Sequence, residues 1–204
     1  MSLRVAVLVS GEGTNLQALL DQVHGSDGIE VAAVAGSHPA ARGLGRARAA
    51  GVETAVFERG AEREQRDREL ADWLDARRVD LVVLAGWMEL LSPAFVERFR
   101  GRILNVHPAL LPAFPGLDAI EQALAYGVRV AGVTVHFVDE GTDTGPVLLQ
   151  ESFDLPYHRD LVTIRQHFHE VEHRLLPHAV RLIAAGRVRF DADNPRLVQI
   201  DGAD

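Results

Sequence analysis

Apolar and polar residues follow two alternating spacings along this chain. Short apolar runs such as Leu3 to Val9 and Leu81 to Ala85 predict strands, and the unbroken run at Leu81 is typical of a strand buried on both faces. Between such runs, apolar residues recur at helical spacing, as at Leu16, Leu19 and Val23. This alternation of strands and helices predicts an α/β fold.

The complete pattern contains about seven strands. We predict strands over 3–9, 31–35, 53–57, 81–85, 101–107, 128–138 and 147–153, and helices over about 16–23, 40–50, 62–77, 93 onward, 118–126 and 160–185. We expect a mostly parallel twisted sheet with helices on both faces, which the last two strands extend in an antiparallel or mixed arrangement. The last helix should be interrupted near Pro177, because proline lacks the backbone donor of a helix. The residues after Arg189 read as a polar tail with one short apolar segment.

The composition is that of one globular domain. The chain has 204 residues, 47% hydrophobic and 25% charged, with a mean hydropathy of +0.01, so we expect a single domain over 1–204. A net charge of −8 and a pI near 5.6 argue against a nucleic-acid partner, because phosphate backbones are held by clustered Lys and Arg. The absence of cysteine excludes disulfides, thiolate metal sites and cysteine nucleophiles.

The sequence also bears on location. No apolar run approaches the length of a membrane span, so we expect no membrane partner. Met1 to Arg4 pass straight into a strand pattern without the features of a signal peptide, so we expect a cytoplasmic protein. The oligomeric state stays open, with a homodimer as one option.

A glycine loop joins the first strand to the first helix. Residues 10–15 read Ser-Gly-Glu-Gly-Thr-Asn. Free N–H groups and the positive dipole end at a helix start can hold a small anion such as a phosphate monoester, here on Gly13, Thr14 and Asn15. The alternative is a plain tight turn. A dinucleotide site is disfavoured, because Leu16 stands where the third glycine of that fingerprint belongs.

Two polar side chains end the apolar strand at 101–107. Because side chains alternate along a strand, Asn105 and His107 point to one side and Val106 to the other. Ligands of open α/β sheets bind beyond the carboxyl ends of the strands, where this pair lies. The structural alternative is that Asn105 caps a turn and His107 is a hydrogen-bonded histidine of the core.

Two longer stretches resemble the formyltransferases that use 10-formyltetrahydrofolate. Residues 105–112 read Asn-Val-His-Pro-Ala-Leu-Leu-Pro, and residues 133–146 read Val-Thr-Val-His-Phe-Val-Asp-Glu-Gly-Thr-Asp-Thr-Gly-Pro. The resemblance extends from the first strand to about residue 190 and is greatest to the members that act on 5-phosphoribosylglycinamide. It implies a Rossmann-like fold and a cis peptide bond between Leu111 and Pro112.

The reaction that the resemblance implies is transfer of a formyl group from the co-substrate 10-formyltetrahydrofolate to the amine of 5-phosphoribosylglycinamide, in purine biosynthesis. The catalytic residues would be Asn105, His107 and Asp143. The attack creates an oxyanion, for which Asn105 and His107 are suitable donors. Asp143 beside His107 would favour the charged imidazole and move protons directly or through water. We expect no metal, no ATP and no tightly bound cofactor.

The resemblance also assigns the substrate sites. The half at about 1–100 would hold the nucleotide phosphate, and the half at about 101–190 would carry folate and catalytic groups. Besides the glycine loop, the ribonucleotide would contact His169 and Glu172. The folate would contact Arg63, Met88, Glu89, Leu90, Leu91, Asn105, Asp139, Glu140, Gly141 and Thr142.

Some of these positions have simpler interpretations, and two depart from the family. Taken on its own, Arg63 reads as a surface charge, and Trp87 and Met88 can be read as core residues. The family usually has a basic residue where Glu89 stands, and often His where Asp118 stands. We therefore expect Glu89 to contribute backbone rather than side-chain contacts.

A zinc-protease pattern occurs in the last helix. Residues 169–173 read His-Glu-Val-Glu-His, and two histidines four apart on a helix can chelate zinc. The pattern lacks a third ligand beyond His178, and the helix is a late, peripheral element. We expect no metal there.

Two rival functions follow from the same residues. One is another enzyme of the superfamily, either a formyltetrahydrofolate deformylase or a formyltransferase acting on a different amine such as a sugar nucleotide. Deformylases usually carry an extra regulatory domain, for which 204 residues leave no room. The other rival is a non-catalytic nucleotide or folate sensor, against which the combination of Asn105, His107 and Asp143 argues.

Overall fold

The chain folds as an α/β protein in which strands and helices alternate over most of its length. The computed structural model describes residues 2–58, 62–157 and 160–202. The strands are β1 (Leu3–Val9), β2 (Ile29–Gly36), β3 (Glu53–Val56), β4 (Leu81–Leu84), β5 (Ile103–His107), β6 (Val130–Phe137), β7 (Val147–Asp154), β8 (Val188–Phe190) and β9 (Val198–Ile200). The helices are α1 (Thr14–Gln22), α2 (Arg42–Ala49), α3 (Arg63–Ala76), α4 (Pro93–Arg98), α5 (Ala119–Tyr126) and α6 (Leu161–Ala184).

In the described part of the chain, the main sheet has seven strands. Their order is β3-β2-β1-β4-β5-β6-β7. The pairs β1 with β2, β1 with β4, β2 with β3 and β4 with β5 are parallel, and β6 with β7 is antiparallel. The predicted α/β fold with its mostly parallel seven-stranded sheet and antiparallel extension is therefore confirmed.

Two compact units divide the chain, Met1–Asn105 and Val106–Asp204. In the first unit, β1 and β4 form the centre, and the side chains from Val5 to Val9 are completely buried. Helix α3 buries Leu70 and Leu74, although most of its other residues are charged. A buried apolar stripe holds this helix in place more than its low apolar content suggests.

The second unit is built on the β6 and β7 hairpin and on α6. Strand β6 is buried from Ala131 onward, and α6 packs apolar side chains such as Phe168 and Leu176 into the same core. An ion pair between Arg174 and Glu151 links α6 to β7. The predicted interruption near Pro177 is wrong, because α6 runs through it without a break. Buried neighbours on both sides of the proline offset the one backbone hydrogen bond that it cannot make.

The polar tail predicted after Arg189 is also wrong. Strands β8 and β9 form an antiparallel hairpin, and the ring of Phe190 lies 4.8 Å, centroid to centroid, from that of Phe137 at the end of β6. The short apolar segment seen in the sequence is β9. Among the described helices, none combines the length and the hydropathy that a membrane crossing requires.

Candidate active site

A carboxylate lies between two buried histidines in the second unit. Oδ2 of Asp143 is 3.4 Å from Nδ1 of His107, and Oδ1 is 3.5 Å from Nε2 of His136. The backbone N–H of Gly116 donates to the same Oδ2 at 2.8 Å. His107 is 5% exposed and His136 is 1% exposed. One carboxylate therefore serves two imidazoles in a poorly solvated site.

The hydrogen-bond partners of the two rings define their protonation. Nε2 of His107 is 2.8 Å from the carbonyl of Phe114, and Nδ1 of His136 is 3.0 Å from the carbonyl of Phe137. A carbonyl oxygen can only accept, so each of these nitrogens carries a hydrogen. The other nitrogen of each ring faces Asp143. That nitrogen donates only when the ring is an imidazolium.

The ionisation of Asp143 reflects opposing effects. Burial disfavours its charged form, but the hydrogen bond from His136, the hydrogen bond from the Gly116 amide and attraction to both histidines outweigh it. These groups lower the pKa of Asp143 below its ordinary value of 3.8. The carboxylate is therefore ionised at neutral pH and can stabilise positive charge beside it.

A closed loop presents Asp143 to the histidines. Oδ1 of Asp139 accepts hydrogen bonds from Oγ1 of Thr144 at 2.6 Å and from the N–H of Gly141 at 3.1 Å. A Cβ at Gly145 would lie 1.8 Å from the carbonyl oxygen of Phe137, so only glycine fits there. Asp143 itself has a left-handed φ of 53°, which aspartate adopts more readily than most residues.

A buried hydroxyl holds the loop that follows β5. Oγ1 of Thr134 donates to the carbonyl of Ala109 at 2.6 Å and accepts from the N–H of Leu111 at 3.1 Å. Nε2 of Gln150 donates to the carbonyl of Leu111 at 2.9 Å. The bond between Leu111 and Pro112 is cis, as predicted. The exit from β5 is thus held from β6 and β7.

The glycine loop of the first unit packs against α2. Gly13 has a φ of 72°, and a Cβ there would lie 2.5 Å from Cα of Gly43. The carbonyl of Gly11 accepts from the N–H of Gly43 at 3.1 Å, and that of Glu12 accepts from Nε of Arg46 at 2.8 Å. Both carbonyls are therefore turned to α2 rather than toward an anion at the start of α1.

The loop after β4 has an apolar and exposed surface. Met88 and Leu90 are each 64% exposed, while Trp87 is 8% exposed. Trp87 is thus part of the core, whereas Met88 is not. The N–H of Met88 donates to Oγ of Ser10 at 2.9 Å, which ties this loop to the glycine loop. The neighbouring residues Glu89 and Leu91 are partly buried.

The other predicted site residues lie on separate elements. Thr14 and Asn15 open α1, with Asn15 buried, and Arg63 is exposed at the first position of α3. Asn105 is half-buried on β5. On α6, His169 is exposed and Glu172 is buried. In the loop between β6 and β7, three of the predicted site residues are exposed: Glu140, Gly141 and Thr142.

The sequence interpretation missed four residues of these surroundings. His136 falls in the second long motif but was not assigned to the site, although a histidine in a mostly apolar strand is a usable signal. Ser10 was placed only in the glycine loop. Arg66 and Asp67 fall in the helix predicted over 62–77 and were given no role, yet both are buried. Their burial has no signal in the local pattern, since the other charges of α3 surround them.

Metal ligands were considered for the His169 to His173 segment. In residues 2–58, 62–157 and 160–202, no group of three or more His, Cys, Asp or Glu side chains is placed to hold a metal ion. The rings of His169 and His173 stack, with centroids 6.0 Å apart. The expectation that no metal binds there stays a prediction.

The protein thus has an α/β fold with a cluster of one carboxylate and two histidines, His107 at the end of a sheet strand and Asp143 between the two rings. Residues 3–180 match the formyl transferase family model, and the chain belongs to this family. It is therefore a formyltransferase by class.

Named relatives agree with this placement. The chain is 38% identical to the phosphoribosylglycinamide formyltransferase of Haemophilus influenzae, over 98% of this chain and 94% of that protein. It is 45% identical, over 90% of its length, to the trifunctional purine biosynthetic protein adenosine-3 of Drosophila melanogaster, of which it spans only 14%. The crystal structure of glycinamide ribonucleotide transformylase 1 from Symbiobacterium toebii superposes with a TM-score of 0.92 at 44% identity, covering 98% of this chain and 94% of that one.

Proposed function

We propose that this chain transfers the formyl group of 10-formyltetrahydrofolate to the terminal amine of 5-phosphoribosylglycinamide. The observation that carries the proposal is the ionised Asp143 between two histidines, in a chain of the formyl transferase family. Acylation of an amine must remove a proton from the attacking nitrogen and deliver one to the leaving nitrogen. A carboxylate beside an imidazole suits both transfers.

The first step is addition. The amine nitrogen forms a bond to the formyl carbon, and the carbonyl π electrons move to the oxygen. Asn105 would donate its amide hydrogen to this oxyanion. In His107, Nε2–H donates its hydrogen bond to the carbonyl of Phe114, so Nδ1 is the ring nitrogen that can interact with the substrate. Nδ1 lies 3.4 Å from Oδ2 of Asp143, a long contact that leaves its hydrogen able to donate to the oxyanion as well.

The second step is collapse of the tetrahedral centre. The former amine, now cationic, loses a proton to Asp143, directly or through water. The bond from the formyl carbon to N10 of the folate breaks, and N10 takes a proton from the His107 imidazolium. As this bond breaks, the electrons on the oxyanion re-form the carbonyl group. The proton on Asp143 then passes to Nδ1 of His107, which restores the carboxylate and the imidazolium. The products are tetrahydrofolate and the N-formyl ribonucleotide, and the balance needs no metal and no tightly bound cofactor.

The substrate sites follow the same proposal. The phosphate would bind the N–H groups of Gly13 to Asn15, whose neighbouring carbonyls are turned away to α2. The ribonucleotide would also contact His169 and Glu172. The pterin would lie on Met88 to Leu91, whose apolar side chains are exposed, and on the loop from Asp139 to Thr142, with Arg63 near the glutamate tail. A cytoplasmic location and a homodimer stay predictions.

A turnover assay with both substrates tests the proposal. The expected result is stoichiometric formation of tetrahydrofolate and formylated ribonucleotide, dependent on the amine and insensitive to a chelator. Release of formate without the amine would identify a deformylase instead. Turnover with another amine alone would identify a different formyltransferase, and binding without turnover a sensor.

A further inference from the structure

Two adjacent buried charges on α3 hold the loop that follows β4. Arg66 is 6% exposed and Asp67 is 1% exposed. Nε of Arg66 donates to Oδ1 of Asp67 at 2.8 Å, and Nη2 lies 2.7 Å from the same oxygen. Each charge is thus compensated inside the first unit, which a buried charge requires.

The Arg66 guanidinium also contacts three residues of the loop, namely Trp87, Glu89 and Leu90. Nη2 donates to the carbonyl of Leu90 at 3.0 Å, and Nη1 donates to Oε2 of Glu89 at 3.3 Å. Its central carbon lies 5.9 Å from the ring centroid of Trp87. One planar group therefore reaches the ring, the carboxylate and the backbone of the segment from Trp87 to Leu90.

Asp67 holds the far end of the same loop. Its Oδ2 accepts a hydrogen bond from the N–H of Ser92, and Oγ of Ser92 accepts from the N–H of Phe95 in α4. The near end is held by Ser10 through the N–H of Met88. The backbone from Met88 to Ser92 is therefore fixed at both ends and in the middle.

The loop that these contacts hold carries two exposed apolar side chains. Met88 and Leu90 are each 64% exposed, so burial of their own surface does not hold the loop in place. A loop that is ordered before its ligand arrives does not lose that conformational entropy on binding. The polar contacts of Arg66 and Asp67 therefore fix the conformation of this loop, a role that buried apolar side chains have in the core.

Charge gives Arg66 a second effect. A carboxylate at position 89 would repel the anionic tail of a folate bound on this loop. The Glu89 side chain is 20% exposed and pairs with Arg66. Arginine suits this position because its fork can serve several acceptors in one plane, whereas lysine is a single point charge.

We propose that Arg66 is a positioning residue for the folate substrate: it fixes the Leu90 carbonyl and neutralises Glu89, and so holds the loop from Met88 to Leu91 in its binding conformation. The inference rests on the proposed function. It concerns a residue of α3 with no reacting role of its own.

The test compares Arg66→Met and Arg66→Lys with wild type. Arg68→Met is the matched control, since Arg68 lies on the exposed side of the same helix. For Arg66→Met we expect KM for 10-formyltetrahydrofolate to rise about 10- to 100-fold, which corresponds to the loss of a hydrogen bond to a charged group. KM for the ribonucleotide and kcat should change less than about threefold, and Arg66→Lys should fall between Met and wild type. Arg68→Met should behave as wild type.

A binding measurement makes the result independent of turnover. Tetrahydrofolate added to each variant should change the fluorescence of Trp87, and the Kd should shift with the KM. If Arg66→Met does not fold, Arg66→Lys and Glu89→Gln decide, because both keep a polar group at the site. An unchanged folate KM and Kd in folded Arg66→Met or Arg66→Lys, or an equal rise of both KM values, would overturn the inference. Absence of turnover in wild type would instead refute the proposed function, and the fluorescence arm would still test the loop.

Discussion

Asp143 is the residue on which both histidines of the site converge. Its left-handed φ of 53° and its position between Gly141 and Gly145 show that the backbone is shaped to present this one carboxylate. Backbone conformations of this kind concentrate at functional sites. Its pKa is lowered rather than raised, so the side chain is a charged carboxylate at neutral pH.

Replacing Asp143 with Asn keeps the shape and the acceptor for the Gly116 N–H but removes the charge. We expect kcat to fall by about 10² to 10⁴, the usual contribution of a general acid–base group. Affinity for the ribonucleotide should change little, because the phosphate site proposed at Gly13 to Asn15 does not involve this carboxylate. Steady-state kinetics and a ribonucleotide titration measure the two effects. Asp154→Asn, at the exposed end of β7, is the control, and near-normal turnover of Asp143→Asn would assign the carboxylate another role.

Gly13 offers a test of the phosphate loop. A methyl group at this position would meet Cα of Gly43 and would be added at a φ of 72°. Gly13→Ala should therefore displace the loop from α2 and raise KM for the ribonucleotide by about tenfold or more, while KM for the folate changes less. The matched control is Gly45→Ala in α2, where a Cβ meets nothing within 4 Å. Equal rises of both KM values would argue against a phosphate site here.

Much of the candidate site could be predicted at the residue scale because its residues lie in two long motifs. Asn105, His107 and Asp143 all come from those motifs, and the structure places Asp143 3.4 Å from His107. His136 was missed because its contact with Asp143 depends on how the loop after β6 folds back onto that strand. Arg66 was missed because a buried arginine and an exposed one look the same in sequence.

At the scale of elements, the hairpin of β8 and β9 supports the loop that carries Asp143. Phe190 packs on Phe137 just before the loop, and Nη2 of Arg196 donates to the carbonyl of Thr144 at 2.8 Å just after Asp143. The hairpin therefore contacts both ends of the segment that positions the carboxylate.

Arg196→Ala should loosen that segment. We expect kcat to fall about two- to tenfold, the rate equivalent of about 0.5–1.5 kcal/mol for one solvent-exposed hydrogen bond, with both KM values nearly unchanged. Arg189→Ala is the comparison variant. It removes the ion pair of Arg189 with Asp201 and leaves the hydrogen bond from Arg196 to the Thr144 carbonyl in place. Equal losses in the two variants would show that hairpin stability, not the Thr144 contact, is responsible.

The elements themselves were largely predictable, with instructive exceptions. Strands such as β1 and β4 are short, apolar and bounded by polar turns, so their periodicity is unambiguous. The unbroken α6 was not predicted, because its continuity at Pro177 comes from tertiary packing rather than from propensity. The hairpin was not predicted either, because three-residue strands give too little pattern to recognise.

At the scale of the whole molecule, stability should depend on pH through α6. His169 is exposed as a residue, but partial desolvation of its ring and then the charge of Arg165 lower its pKa below the ordinary 6.5. For His173, desolvation and then the charge of His169 lower the pKa, and Glu170 partly opposes them. A histidine whose folded pKa is depressed takes up its proton more readily in the unfolded chain. The contribution of these two histidines to stability is therefore fully present above about pH 6.5 and is lost as the pH falls below it.

The double change His169→Gln, His173→Gln should flatten this dependence. Melting temperatures measured from pH 7.5 to 5 should fall more steeply in wild type than in the variant. Asp143 contributes in a separate range, because its lowered pKa makes its contribution disappear only below its ordinary value of 3.8. Parallel curves for the two proteins between pH 7.5 and 5 would contradict the role given to the two histidines.

The pairing of Arg66 with Glu89 also has an evolutionary consequence. A basic residue at 89 would face the Arg66 guanidinium, and loss of Arg66 alone would remove the ion pair that it makes with Asp67 and the one that it makes with Glu89. Neither position can change by itself without passing through an ancestor with unbalanced charge on this loop. Among descendants of the same lineage, substitutions at 66 and 89 should therefore occur together, and an aligned set of such sequences should show the two columns covarying in sign.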